Sequence, residues 1–255
     1  MKRKWITFDL DGTLMQNPFG EWVFPEIERV FAESVNNQRI FPALVEEHRN
    51  RMASGNIVEA YDWDDIVREA FTRYGVSVQV DVAKLVRQHS VPPKVYLLEA
   101  DVIDAMLVLR NSGYAIATVT NGFEKYQKPV MDVLGLTDLF DTIITPEKVG
   151  YGKPRVEMVD SLSDTDNEII AHVGDRLDHD VWLANELGVL SILFYQDMPE
   201  SVKAKSPLER VGECEKWFHE KWRRETGNEE FPEKATPTMV IHSIKEIYRE
   251  PLKLT

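Results

Sequence analysis

Seven residues have types and spacings suited to charge chemistry: Asp9 and Asp11 in Asp9-Leu10-Asp11-Gly12-Thr13, the pair Thr120-Asn121, Lys153, and Asp175 followed by Asp180. Three of these positions follow apolar runs, Trp5-Ile6-Thr7-Phe8, Ala115-Ile116-Ala117-Thr118-Val119 and Ile169-Ile170-Ala171-His172-Val173. An apolar run that ends abruptly in Asp-Gly, Asn-Gly or Gly-Asp reads as a buried strand stopping at a turn. In an open α/β sheet, ligands bind at the carboxyl ends of such strands. If the strands are parallel, all these polar residues emerge on one edge. Four carboxylates there repel by about 4 kcal/mol per close pair at moderate dielectric. A hard divalent cation and a lysine relieve that repulsion, and oxygen-only ligands with retained waters suit Mg²⁺. Taken singly, each residue has a plainer reading. Asp11-Gly12 and Asn121-Gly122 make turns, Asp175 caps a helix, Asp180 is a helical acid and Lys153 is a solvated loop lysine. A calcium loop fits poorly, because Leu14 stands where glycine is needed and no glutamate closes the loop.

Helical periodicity occupies the chain between the first strand and the second. Ile27, Val30, Phe31 and Val35 share one face, as do Ile66, Val67, Ala70, Phe71 and Tyr74, and Val82, Leu85 and Val86 follow. Residues 17–95 therefore read as an all-helical insert, closed by Val91-Pro92-Pro93. Beyond it, strand and helix alternate. Strands are expected at Ala115–Thr120, Thr142–Thr145, Ile169–Gly174, Ser191–Phe194 and Thr238–His242. Such alternation predicts an α/β fold with a doubly wound, Rossmann-like parallel sheet. The domain reading is a core of residues 1–16 and 96–255 with a helical cap of residues 17–95. Residues 196–237 break the rhythm as a highly charged stretch with one helix near Glu213–Trp222, on which Phe218 and Trp222 can share a face. They are expected to be an accessory excursion over a sheet edge or a partner surface.

Composition narrows the function. With 255 residues, 43% hydrophobic and 29% charged, the chain is of ordinary globular type. Its 43 acidic against 30 basic residues give a formal charge of −13. That balance opposes nucleic-acid polymers and anionic membranes, whose binding needs basic patches. A single cysteine, Cys214, allows no intrachain disulfide, and no apolar run approaches the ~20 residues of a membrane span. A cytoplasmic location is expected.

In this order, the four stretches resemble the haloacid dehalogenase superfamily, in its phosphatase branch with a helical cap after the first motif. The first motif is Asp9-Leu10-Asp11-Gly12-Thr13, the second Thr120 within Thr120-Asn121-Gly122-Phe123. The third is Lys153 within Val149-Gly150-Tyr151-Gly152-Lys153-Pro154, and the fourth is Gly174-Asp175 with Asp180. The resemblance covers residues 1–195 and the last strand. Arg155-Val156 departs from it, where many relatives have an acid and a proline. The resemblance implies that Asp9 is a nucleophile forming an aspartyl-phosphate and that Asp11 is the general acid and base. It further implies that Thr120, Asn121 and Lys153 hold the phosphoryl oxygens. Asp9, Asp175 and the main-chain carbonyl of Asp11 would ligate Mg²⁺, and Asp180 would complete the metal site by orienting those ligands or binding through water.

The implied activity is hydrolysis of a small phosphorylated metabolite, a sugar phosphate or nucleoside monophosphate, with the cap as a lid. A phosphomutase shares the same core, and a non-catalytic phosphate-binding protein is the reading from another class. Carbon–halogen hydrolysis needs neither the second aspartate nor magnesium. Phosphonate hydrolysis would need a cap lysine, and Lys84 alone lies between Thr13 and Pro93. Among cap residues, Trp22, His48, Arg49, Arg51 and Trp63 are candidates to face the site, each with structural or solvated alternatives. A homodimer is compatible with the sequence.

Overall fold

The computed structural model describes residues 2–35 and 38–249; residues 250–255, assigned above to the core, lie outside the described residues. The first strand, β1 (Arg3–Phe8), ends in a tight turn where Leu10 O accepts from the backbone N–H groups of Thr13, Leu14 and Met15. After β2 (Met15–Gln16) come α1 (Phe24–Ser34), α2 (Phe41–Ala53), α3 (Ile57–Ala60), α4 (Trp63–Arg73) and α5 (Val82–His89). Then β3 (Tyr96–Leu97) pairs antiparallel with β2, clipping together the two connections of the helical insert. That pair was not anticipated, since two residues per strand are too few to show a period.

The remaining chain runs α6 (Val102–Asn111), β4 (Ala115–Val119), α7 (Glu124–Leu134), β5 (Thr142–Ile144), α8 (Pro146–Val149), β6 (Asn167–Gly174), α9 (Trp182–Leu187) and β7 (Leu190–Phe194). It continues with α10 (Glu200–Lys203), α11 (Glu209–Glu213), α12 (Glu215–Thr226), β8 (Met239–Ile241) and α13 (Glu246–Arg249). The main sheet has the order β5-β4-β1-β6-β7-β8 and every neighbouring pair is parallel. This is the doubly wound arrangement expected from the sequence. Strand order reverses between β1 and β6, which opens a crevice at their carboxyl ends.

Alternate strand residues divide between the two faces, as the pleat requires. Ile6, Phe8, Ile192, Phe194 and Ile241 join one apolar cluster with α6 and α7, and Trp5, Ala117 and Ile169 join another with Met158 and Leu183. Leu193 and Val240 point into a third cluster with Cys214, Phe218 and Trp222. The charged stretch therefore roofs the far face of β7 and β8 with the apolar stripe of α12. The buried side chains of the helical insert, among them Ile27, Phe31, Leu44, Ile66 and Phe71, are continuous with the first cluster. Polar ties add to that packing: Tyr126 of α7 accepts from Asp64 N at 2.9 Å and donates to Asp64 Oδ2 at 2.9 Å. Among the described residues, no helix is long and apolar enough to cross a membrane.

Candidate active site

The crevice brings the motif residues together. Asp9 extends the β1 ladder, its N–H donating to Val173 O at 2.8 Å, and its carboxylate lies almost buried. Asp175 and Asp180 follow β6. One carboxylate oxygen from each of Asp9, Asp175 and Asp180 lies within 4.8 Å of the other two. Lys153, buried, reaches in from the loop after α8 and donates to Asp9 Oδ1 at 2.6 Å and to Asp180 Oδ1 at 2.5 Å. One ammonium thus bridges two of three crowded carboxylates.

Charge and burial decide the protonation of this cluster. Burial, then the neighbouring Asp180 charge, pushes Asp175 up to about 7. Burial also raises Asp9, against the pull of Lys153. Asp180 is buried too, but the Lys153 ammonium and a hydrogen bond from His172 hold it well below the usual carboxylate range. Burial opposes the charge on Lys153, yet the Asp180 and Asp9 carboxylates keep it above the ordinary lysine value. The three acids thus carry more negative charge than one lysine balances. All-oxygen donors with uncompensated negative charge form a set that fits a hard divalent cation.

Two glycines permit the crowding. Gly12 has φ +80°, and a Cβ there would meet the Asp175 carboxyl at 3.0–3.2 Å. At Gly174, a Cβ would lie 2.1 Å from Asp180 Cγ, so only hydrogen fits. Gly174→Ala should therefore expel the Asp180 carboxylate from Lys153 and His172 and cost about 1–3 kcal/mol as overpacking. Thermal unfolding reads this directly. An unchanged melting temperature would show that the carboxylate has room to shift.

Asp11 stands apart from the three-acid cluster. Its Oδ2 accepts from Gln127 Nε2 at 2.6 Å, and its Oδ1 is buried without a hydrogen-bond partner. Burial raises its pKa, against the hydrogen bond from Gln127. Its side chain is thus not among the grouped metal-binding oxygens. Thr120 is buried beside it, its Oγ1 accepting from Gly122 N at 3.1 Å and from Gln127 Nε2 at 3.3 Å. Asn121, expected beside phosphate, has its side chain engaged elsewhere. Its Oδ1 accepts from Lys153 N at 2.7 Å, and its Nδ2 donates to Lys153 O at 3.2 Å and to Tyr61 OH at 3.3 Å. Both ends of the amide are occupied, so Asn121 fixes the Lys153 loop rather than offering its side chain to a ligand.

Two buried residues escaped the sequence reading. His172 on β6 donates from Nε2 to Asp180 Oδ1 at 3.0 Å, while its Nδ1 lies 2.8 Å from Thr7 Oγ1. Gln127 on α7 spans Asp11 and Thr120. The available signal was a polar residue at an otherwise apolar position of a strand or helix face. Among the five cap candidates, His48 and Arg49 line a cavity that also reaches Gly12 and Asp175. Arg51 is instead buried in salt bridges with Glu47, Asp65 and Glu69. Trp22 stacks on His89, and Trp63 packs among Phe19, Phe24 and His48.

The doubly wound sheet and the lysine-bridged acids at its switch point define an enzyme core of a known type. The model of the haloacid dehalogenase-like hydrolases matches residues 3–188, and the chain belongs to that family. It is 27% identical over 212 residues to the glyceraldehyde 3-phosphate phosphatase of Methanocaldococcus jannaschii, covering 77% of this chain and 89% of that protein. It is also 33% identical over 118 residues to the ribulose-1,5-bisphosphate 5-phosphatase of Halopiger xanaduensis, covering 45% of this chain and 48% of that one. Among solved structures, an HAD phosphatase from Thermococcus onnurineus is similar at 25% identity and a TM-score of 0.57, covering 78% of this chain and 89% of that chain. The resemblance read from the four motifs is borne out.

Proposed function

We propose that the protein is a Mg²⁺-dependent phosphatase of small phosphorylated metabolites acting through an aspartyl-phosphate on Asp9. The observation that carries this reading is the grouping of Asp9, Asp175 and Asp180 with Lys153 bridging Asp9 and Asp180. Names of relatives support it, since one acts on glyceraldehyde 3-phosphate and another on ribulose 1,5-bisphosphate. Asp9, Asp175, Asp180 and the Asp11 main-chain carbonyl would hold the cation, which supplies charge neutralisation and orientation of the phosphoryl group.

The chain's own residues then divide the work. Asp9 attacks phosphorus, forming a carboxyl–phosphate bond as the ester oxygen departs. Asp11, its pKa raised by burial, gives that oxygen a proton and later takes one from the water whose attack breaks the carboxyl–phosphate bond and releases inorganic phosphate. Thr120 and Lys153 steady the phosphoryl oxygens, and Asn121 holds the Lys153 loop in place. Residues 17–95 act as a cap that excludes water and presents His48 and Arg49 to the leaving group. A cytoplasmic location accords with these metabolite substrates.

The test is catalytic efficiency across a size series, from a chromogenic aryl phosphate through sugar phosphates and nucleoside monophosphates to a folded phosphoprotein. Small esters should be hydrolysed and the phosphoprotein left intact. Better turnover of the phosphoprotein would overturn the cap reading, and no hydrolysis of any ester would overturn the phosphatase.

A further inference from the structure

A cavity of about 1410 Å³ opens above Gly12 and Asp175, and its walls come from opposite ends of the sequence. One wall is α2, through Val45, His48, Arg49 and Met52, spaced as one helix face. The other is α12, through Trp217, Lys221, Arg224 and Glu225, again one face at helical spacing. The adjoining α12 face, Phe218 and Trp222, is buried in the third apolar cluster. Burial of that stripe rotates the charged stripe toward the acids. Glu225 Oε2 also accepts from Leu177 N at 3.0 Å, tying α12 to the segment after Asp175. Residues 196–237 thus form one wall of the cavity that reaches Asp175, as well as covering the sheet.

The charges on these walls are unevenly satisfied. Arg176 is locked onto Asp178 by two hydrogen bonds, at 2.9 and 2.8 Å. Lys221 pairs with Glu225 at 2.8 Å, and Arg223 lies 3.6 Å from Glu229. Arg49 and Arg224 are exposed and form no salt bridge with any described residue, in a chain with a formal charge of −13. Asp197 and Glu225 line the same cavity, so its rim is not uniformly cationic.

Resting on the phosphatase reading, we infer that Arg49 and Arg224 form a subsite for a second anionic group on the leaving-group side of the substrate. The guanidinium fork matches a carboxylate or a phosphate equally, so the shared chemistry is a second anion at the far end of a small phosphate ester. This subsite selects substrates and takes no part in bond breaking, which occurs at Asp9 and Asp11.

The test uses matched pairs of esters on the full-length protein with Mg²⁺. One pair is a polyol bisphosphate and its monophosphate; the other is a phosphorylated hydroxy acid and its neutral amide. The wild type should favour the member bearing the second anionic group in at least one pair by about tenfold or more in kcat/KM, and the pair that responds identifies phosphate or carboxylate. In the double variant Arg49→Ala/Arg224→Ala, with its melting temperature checked, that preference should collapse towards unity, mainly through KM. Equal efficiency for both members in the wild type, or a preference that survives the double variant, overturns the subsite. A simple aryl phosphate separates the two claims: if the wild type cleaves it but shows no preference for a second anion, only the subsite fails. If no ester is turned over, the phosphatase reading fails, and the same ratios taken from calorimetric binding of the four compounds still decide the subsite.

Discussion

Asp9→Asn should remove all detectable turnover while the protein remains folded. A neutral amide has no anionic oxygen to attack phosphorus, so the chemistry stops at its first step. The substitution is nearly isosteric, which keeps the packing at this buried position. It also takes one charge from a group of acids that repel one another, so the melting temperature should hold or rise. Lys153 loses one of its two anionic partners but keeps Asp180 at 2.5 Å. Turnover at wild-type rates in this variant would refute the mechanism. Asp11→Asn is the informative contrast. Loss of proton transfer should slow turnover by ~10²–10⁴-fold, yet attack on an activated aryl ester does not need that proton. A phosphoenzyme should then accumulate on Asp9 and be visible as added mass in acid-quenched samples.

Removal of divalent metal should be as severe as loss of the nucleophile. With chelator in excess, turnover should vanish, and added Mg²⁺ should restore it; full activity in chelator would sink the metal assignment. Calcium should inhibit, because it prefers more ligands and looser geometry than Mg²⁺. The raised acids also set a pH dependence. Asp175, pushed up to about 7, is largely protonated at pH 6 in the metal-free protein, and Asp9 is shifted in the same direction. Both must be ionised to bind a cation, so Mg²⁺ affinity should fall as pH drops below about 7, by up to about tenfold per unit for each proton displaced. Stability follows with the opposite sign. Where a folded carboxyl has a higher pKa than in the unfolded chain, the native state binds more protons, and stability falls as pH rises through that window. Metal-free protein should thus lose stability from about pH 4 to 7, and the melting shift caused by Mg²⁺ should grow over the same range. A Mg²⁺ shift independent of pH would show that the acids are ionised throughout.

Much of this fold is legible because its strands are short apolar runs halted by Asp, Asn or Gly. Phe8 before Asp9, Val119 before Thr120 and Val173 before Gly174 mark three strand ends, and the alternation of strand and helix makes those ends share an edge. The motif spacing then points to Asp9, Asp175, Asp180 and Lys153 as neighbours, and the structure groups them. Asn121 was legible as part of the site but not as a support for the Lys153 backbone. Its partners lie 32 and 60 residues away, and no local period reports them.

Sequence by itself determined the doubly wound core and the acids at the strand ends. These follow from local burial periods and from residues that terminate strands, both of which are properties of a few consecutive positions. Tertiary structure alone decided that His172 and Gln127 touch the acids, that Arg51 is consumed in salt bridges, and that α12 walls the cavity. The stripe of Phe218 and Trp222 was visible as an apolar face, but not the surface it would cover. Once that stripe is buried against β7 and β8, the helix can present only its Trp217, Lys221 and Arg224 side to the cavity over Asp175. Such an orientation arises from packing between distant segments, and hydrophobic periodicity within one segment carries no record of its partner.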